Sequence, residues 1–185
     1  MSDNDENDNP NASANADGSD KKTLTPEQRR LLLATPAGWI ACGFGSGLAP
    51  FAQGTFGSLA AIIPWLLLRT LPMQLYMFAI VVAFVGGVWA CGIAGRAVGV
   101  DDHRSIVWDE FVGLWIALTP TLIPALWASW SSVVIGFALF RLFDIWKPWP
   151  IRVLDRQLKG GLGVMMDDVV AGVFAAILLT LLLRL

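Results

Sequence analysis

The sequence predicts an all-α, multi-pass membrane helical bundle, and two observations carry that prediction. Hydrophobic residues make up 55% of the 185-residue chain and charged residues only 15%, whereas about a quarter of a soluble domain is charged. Long apolar stretches alternate with short polar segments, and about 20 apolar residues are enough to cross the hydrocarbon core of a bilayer. The polar segments are therefore expected to be loops at the membrane surface.

Residues 1–30 are predicted to form a disordered tail before a membrane-embedded domain, residues 31–185. The first part of the tail is rich in Asn, Asp, Ser and Ala and has almost no large apolar side chains, so it cannot offset the entropy lost on ordering. It lacks the basic start and apolar core of a signal peptide. Near its end, Thr25, Pro26 and Gln28 fit a capping box that begins a helix.

The apolar pattern then predicts a glycine-rich segment, 38–55, followed by five helices. Those helices are expected at about 56–70, 73–99, 109–127, 131–144 and 167–184. Basic residues ahead of the first helix place the N-terminus in the cytoplasm by the positive-inside rule. With that orientation, all eight acids of residues 31–185 fall on the cytoplasmic side. The chemistry is therefore expected in the polar loops of that face.

Two pairs of adjacent acids are the strongest functional signal. Asp109-Glu110 begins the third predicted helix and Asp167-Asp168 begins the fifth, and a glycine follows each pair about one turn later. Those glycines are Gly113 and Gly172. Small residues let helices approach closely, which would gather the four carboxylates around a hard cation such as Mg²⁺ or Mn²⁺. The alternative is that the acids cap their helices and pair with nearby bases.

The end of the fourth predicted helix adds another acid and three bases. Asp144 lies where the helix dipole disfavours a carboxylate, so it is a candidate fifth metal ligand. Arg141, Lys147 and Arg152 are candidate phosphate ligands, because Arg binds phosphate with two donors and Lys supplies a point charge. The alternative for each base is that it only follows the positive-inside rule.

Two weaker signals leave alternatives open. The stretch GFGSGLAPFAQGTFGS, 43–58, could present backbone N–H groups to a phosphate or serve helix packing. His103, the single histidine, could shuttle a proton or be an ordinary loop residue. The two cysteines, Cys42 and Cys91, are not expected to form a disulfide in a cytoplasmic-membrane protein.

Several classes of function are disfavoured by what the sequence lacks. It has no Asp-x-Asp-x-Thr run of the haloacid dehalogenase phosphatases and no DG-x-x-AR run of the alcohol phosphotransferases. A net charge of −2 without a basic stripe argues against nucleic acid as a partner. Metal-assisted hydrolysis by a carboxylate cluster remains. A carboxylate-lined cation transporter and a non-catalytic protein that binds anionic lipids stay open as alternatives.

The sequence resembles the phosphatidylglycerophosphatase A family over about residues 35–185. The motifs that carry the resemblance are GFGSGLAP with GTFGSLAAIIP, SIVWDEFVGLWIAL, FRLFDIWKPWPIRVLDR and GGLGVMMDDVVAG. Gln53 stands where the family usually has proline. The resemblance implies a multi-pass protein of the bacterial inner membrane that hydrolyses the terminal phosphate of phosphatidylglycerophosphate with Mg²⁺ and yields phosphatidylglycerol. It carries site roles onto Asp109, Glu110, Asp144, Lys147, Asp167 and Asp168.

The resulting expectation is one catalytic site on the cytoplasmic face, with membrane lipid as its partner. Its catalytic residues and Mg²⁺ ligands are Asp109, Glu110, Asp144, Asp167 and Asp168. Arg141, Lys147 and Arg152 are expected to bind the phosphate of the substrate. Water is the expected nucleophile, and direct attack by a carboxylate is the mechanistic alternative.

Overall fold

The computed structural model describes residues 24–100, 103–126 and 129–185, and the side chains of residues 155 and 156 are not described. Within these ranges every regular element is helical, which confirms the all-α prediction. The α-helices are α1 Pro26–Leu33, α2 Pro36–Ala41, α3 Gln53–Leu68, α4 Met73–Val98, α5 Trp108–Leu118, α6 Trp130–Trp146, α7 Ile151–Gln157 and α8 Gly160–Leu182. Short 3-10 helices cover Gly43–Leu48, Thr119–Leu122 and Pro124–Leu126. The predicted disordered tail, residues 1–30, lies outside the described residues as far as residue 23, and its residues 26–30 belong to α1.

Two of the described helices are long and apolar enough to cross a membrane. They are α4, with 26 residues, and α8, with 23 residues. At about 1.5 Å per residue, each exceeds the roughly 30 Å of a hydrocarbon core. The apolar helix α3 has 16 residues and falls short of that length. Length and composition thus support two of the five predicted crossings.

The short helix α5 forms the centre of the molecule, and nine of its eleven residues are buried. It packs most extensively against α8, and α3, α4 and α6 surround the rest of it. A methyl group on Gly172 would lie 2.4 Å from the carbonyl oxygen of Gly113, and one on Gly113 would lie 2.8 Å from the carbonyl oxygen of Asp168. The close approach predicted from these two glycines is therefore confirmed.

Two predicted helix boundaries are wrong. The third predicted helix ends at Leu118 rather than near residue 127, because Pro120 and Pro124 cannot continue an α-helix and 3-10 turns take over. The last helix begins at Gly160, so Asp167 and Asp168 lie about two turns inside it rather than at its N-terminus. The dipole of α8 therefore does not account for that acid pair.

The glycines at the start of α8 serve close packing rather than helix termination. A methyl group on Gly161 would lie 2.0 Å from the carbonyl oxygen of Val88 in α4, and one on Gly163 would lie 2.5 Å from the carbonyl oxygen of Leu158. Only glycine fits this near to another backbone. This contact sets the start of α8 against the middle of α4.

The N-terminal elements close one end of the bundle. The predicted capping box is confirmed: Thr25 Oγ1 accepts from Gln28 N at 3.1 Å, and Gln28 Oε1 accepts from Thr25 N at 2.9 Å. Gln28 also donates its side-chain amide to the carbonyl oxygen of Val98 at 2.8 Å. That bond attaches α1 to the last residue of α4.

The glycine-rich stretch packs against the loop that leads into α5. A methyl group on Gly47 would lie 2.2 Å from the carbonyl oxygen of Ser105, and one on Gly57 would lie 2.7 Å from Cβ of Val107. These contacts favour the packing role for both glycines. They also fix the loop that presents the first acid pair.

Candidate active site

A polar cavity of about 680 Å³ opens at the end of the bundle where α3, α5, α6 and α8 meet. All five acids predicted for the site line it: Asp109, Glu110, Asp144, Asp167 and Asp168. Three bases line it too: Arg104, Arg141 and Lys147. Backbone and side chains from the start of α3 complete one wall. The cavity has two more acids than bases, so its formal charge is negative.

The packing of α5 against α8 brings the two acid pairs together. Asp109 and Glu110 lie in the first turn of α5, where the helix dipole favours negative charge. Asp167 and Asp168 arrive from the interior of α8. Each of the four side chains belongs to a residue that is at most 9% exposed. Buried carboxylates are costly unless they are paired or bind a cation.

Glu110 is held by hydrogen bonds from two other helices. Its Oε2 atom accepts from the hydroxyl of Ser58 in α3 and from Nη1 of Arg141 in α6. Ser58 is fully buried. Gly54 leaves the space that the carboxylate uses, since a Cβ there would lie 2.1 Å from Glu110 Oε1. Ser58 was predicted only as part of the glycine-rich stretch, although a hydroxyl one turn after Gly54 in an apolar helix is a usable signal.

Arg141 and Lys147 are engaged with acids of the cavity. Nη1 of Arg141 also lies 2.7 Å from Oδ2 of Asp144, so this guanidinium bridges two carboxylates. Nζ of Lys147 donates to Oδ2 of Asp167 at 2.6 Å. Lys147 ends α6 in the left-handed region, with φ at 44°. Two of the three bases predicted to bind phosphate thus neutralise acids in this arrangement.

Burial and neighbouring charge perturb the carboxyl group of Glu110. Burial raises its pKa to about 7, and the negative charge of Asp144 contributes to the rise, while Arg141 and Ser58 act to lower it. The contact with Arg141 therefore offsets part of the cost of burying the charge. The charge state of Glu110 depends on keeping that contact.

The cavity has the donor chemistry of a hard-cation site but not a ready-made cluster. Among the residues that the structure describes, no three Asp, Glu, His or Cys side chains are arranged as a metal-binding group. Oδ2 of Asp168 is nevertheless buried without a hydrogen-bond partner in those residues, and Asp168 is 2% exposed. An unsatisfied buried carboxylate oxygen among four other acids fits the oxygen ligands that Mg²⁺ prefers.

Two basic residues differ from the expectation. Arg152 lies exposed on α7 and does not line the cavity, so the structure does not bring it to the other site residues. Arg104 lines the cavity from the loop before α5 and forms no ion pair with any described residue. The sequence signal for Arg104 was its place in the polar loop that precedes the first acid pair.

His103 belongs to the loop structure. It is 3% exposed, and its Nδ1 atom accepts from the backbone N–H of Ser105 at 3.1 Å. It is not part of the cavity lining. These contacts favour the ordinary loop role over a proton shuttle.

The cysteines take no part in the cavity. Cys42 and Cys91 are buried and form no disulfide, as predicted. Burial raises the pKa of the Cys42 thiol to about 12, so it stays protonated at neutral pH and is a poor nucleophile.

The fold and the cavity define a helical protein with two helices that are long and apolar enough to cross a membrane and with an acid-rich cavity. The comparisons with known proteins are more specific. Residues 39–183 match the family model described as Phosphatidylglycerophosphatase A, and the chain belongs to that family. It is therefore a phosphatase.

Curated relatives agree with the family match. A protein of Escherichia coli K12 named phosphatidylglycerophosphatase A is 49% identical over 149 residues, which cover 80% of this chain and 83% of that protein. A protein of the same name from Haemophilus influenzae is 45% identical, covering 80% and 90%. A putative phosphatidylinositol-3-phosphatase of Bacteroides thetaiotaomicron is 45% identical over 145 residues, covering 76% and 89%. No solved structure matches the chain.

Proposed function

We propose that this protein removes the terminal phosphate of phosphatidylglycerophosphate and yields phosphatidylglycerol. Family membership and the names of two relatives support this substrate. The structural observation that carries the proposal is the gathering of five acids and three bases in one cavity. Carboxylates suit a metal-assisted reaction, and the bases suit a phosphate group.

The reaction is hydrolysis of a phosphate monoester. The oxygen of a water molecule forms a bond to phosphorus, and the bond between phosphorus and the headgroup oxygen breaks. A carboxylate of the cavity accepts the proton of the attacking water and passes a proton to the leaving headgroup oxygen, which becomes a hydroxyl as inorganic phosphate is released. Direct attack by a carboxylate, with an acyl-phosphate that water then hydrolyses, is the alternative route.

Mg²⁺ is the proposed cofactor. Its proposed ligands are drawn from Asp109, Glu110, Asp144, Asp167 and Asp168. The unsatisfied oxygen of Asp168 and the excess of acids over bases in the cavity support it. When bound, the ion would supply Lewis acidity toward the phosphoryl oxygens and lower the pKa of a water. Arg141 and Lys147 hold Glu110, Asp144 and Asp167 in the cavity, where these acids are proposed to meet the ion.

The bases have separate roles in this proposal. Arg104 binds the phosphate of the lipid, because it lines the cavity and makes no ion pair with a described residue. Arg141 positions Glu110 and Asp144 through its guanidinium. Lys147 positions Asp167. No phosphate contact is proposed for Arg152, because it does not line the cavity.

The proposed location is the bacterial inner membrane, with several crossings and the site on the cytoplasmic face. The two long apolar helices α4 and α8 support membrane insertion. α1, which carries Arg29 and Arg30, docks at the C-terminal end of α4, and the loop bearing Arg104 follows that same end. Basic residues favour the cytoplasmic side.

Phosphate release from phosphatidylglycerophosphate in detergent micelles tests the proposal, with Mg²⁺ or with excess chelator. Wild type is expected to release phosphate only with Mg²⁺. Asp168→Asn should reduce the rate at least about 100-fold, because it removes a proposed ligand of the metal. Glu27→Gln, which changes an exposed acid on α1, is the matched control and should retain full activity.

This assay tests the function, the cofactor and the site separately. No release by folded wild type would reject the function. Release that chelator does not affect would reject the cofactor, and release that Asp168→Asn retains would reject the site. Phosphatidylinositol 3-phosphate is assayed in parallel because one relative is named for it; faster turnover of that lipid would replace the proposed substrate.

A further inference from the structure

Large apolar side chains stand exposed at the mouth of the polar cavity. Phe51 and Ile145 are 68% and 71% exposed, and both line the cavity together with its acids and bases. Phe56 lies beside Phe51, with ring centroids 5.5 Å apart in an edge-to-face arrangement. We call Phe51, Phe56 and Ile145 the apolar rim. Residues this exposed contribute little to a core. Their position beside a charged cavity suits a ligand with an apolar part.

The residues of the apolar rim come from the start of α3 and the end of α6, and both helices pack against α5. An approach of 3.4 Å between Arg141 Nη1 and Ser58 Oγ links them at the cavity. The rim therefore has one part before and within the first turn of α3, at Phe51 and Phe56, and one part in the last turn of α6, at Ile145. The cavity opens between these two helix ends.

Each of the two helices continues the rim as an apolar stripe along its outer surface. On α3, Leu59 and Ile63 follow Phe56 at helical spacing and are 55% and 71% exposed. On α6, Leu142 and Val134 precede Ile145 on one face and are 51% and 68% exposed. Residues three and four apart share a helix face. Both stripes therefore lead from the mouth of the cavity along the exposed outer sides of the helices.

We infer that the apolar rim and the two stripes bind the acyl part of the lipid substrate, which enters the cavity sideways between α3 and α6. This inference rests on the proposed function. The charged lining suits the phosphate headgroup, and the continuous apolar surface beside it suits the diacylglycerol part of the same molecule. The rim thus selects membrane lipids over water-soluble phosphate monoesters that carry the same headgroup.

Two substrates that share one headgroup but differ in chain length distinguish lipid binding by the apolar rim from the hydrolysis step. We would measure kcat and KM for long-chain phosphatidylglycerophosphate in mixed micelles and for a water-soluble analogue with four-carbon chains. The variants are Phe51→Ser, Ile145→Ser and the double variant. Phe78→Ser on α4, which is 65% exposed and does not line the cavity, is the matched control.

The double variant should raise KM for the long-chain lipid at least about tenfold, because two large side chains no longer bury apolar surface against the chains. Its kcat/KM for the short-chain analogue should stay within about twofold of wild type. Phe78→Ser should change neither value. Ile145→Thr keeps the branched shape of the side chain and is included in case Ile145→Ser misfolds locally. It should raise KM less than the double variant does, and only for the long-chain lipid.

Three results would overturn the inference. They are an unchanged KM for both substrates in the double variant, an equal loss on both substrates, and an equal loss in Phe78→Ser. The last would make the exposed apolar residues general membrane anchors. Failure of the proposed function gives a different result, because wild type would then release no phosphate from either substrate. That result would reject the inference as well.

Discussion

Gly54 provides a sharp test of the site because the absence of its side chain makes room for Glu110. In Gly54→Ala the new Cβ would lie 2.1 Å from Glu110 Oε1 and 3.0 Å from Nη2 of Arg141. Ordinary contacts begin at 3.4 Å, so the carboxylate has to move by about 1.3 Å. A misplacement of about 1 Å in a catalytic group costs roughly 100-fold in rate, and we expect kcat/KM to fall by about that factor.

The fold should survive this substitution, because the displaced atoms are the far ends of flexible side chains. The assay is phosphate release from phosphatidylglycerophosphate, with thermal unfolding measured on the same preparations. Gly86→Ala is the control: it is an exposed glycine of α4, and a Cβ there meets nothing within 4 Å. It should keep full activity and gain up to about 1 kcal/mol of helix stability. A folded Gly54→Ala variant within threefold of wild-type kcat/KM would refute the placement of Glu110.

Three further predictions follow from contacts elsewhere in the structure. Gly172→Val pushes a side chain into the backbone of Gly113, 2.4 Å away, and should destabilise the fold by about 1–3 kcal/mol or more; an unchanged melting temperature in detergent would contradict the close packing of α5 and α8. Tyr76→Phe removes a 2.6 Å hydrogen bond to a buried carbonyl oxygen of α5. It should lower the free energy of unfolding by about 1 kcal/mol and leave kcat unchanged. A large loss of kcat would indicate that Tyr76 takes part in the reaction. Arg104→Gln should raise KM at least about tenfold, because hydrogen bonds to charged groups contribute roughly 1.5–3 kcal/mol. Arg152→Gln should leave KM within twofold of wild type. The reverse order would support Arg152 as the phosphate ligand, as predicted from the sequence.

The acidic half of the site could be predicted because its signals are local. Two adjacent acids in each of two apolar helices are costly, and a glycine one turn later shows where the helices can meet. The contact between Gly113 and Gly172 turns that pattern into one cavity. Asp144 followed from the same reasoning about a carboxylate near a helix C-terminus, and it too lines the cavity.

The basic half could be predicted only in part, because it depends on where loops and helix ends point. Arg141 and Lys147 reach the cavity, but a short helix carries Arg152 away from it. Arg104 lines the cavity from a loop that packs against Gly47 and Gly57. No periodicity in the sequence encodes the path of such a loop.

The predicted start of the last helix is wrong because tertiary packing overrides local propensity there. Gly160, Gly161 and Gly163 resemble a helix stop, yet two of them fit against neighbouring backbone and allow α8 to begin there. The acid pair then lies two turns into the helix. An argument from dipoles alone cannot anticipate this, because it considers one helix at a time.

The burial of α5 has a consequence for how the chain enters a bilayer during synthesis. Eleven residues rise about 16 Å, roughly half of the hydrocarbon thickness, and the first turn carries two carboxylates. Such a segment has no stable position in lipid by itself. It needs α3, α6 and α8 around it, and both α6 and α8 follow α5 in the chain. α5 can therefore reach its buried position only after α8 has been made, and truncation within α8 should leave α5 without its most extensive packing partner.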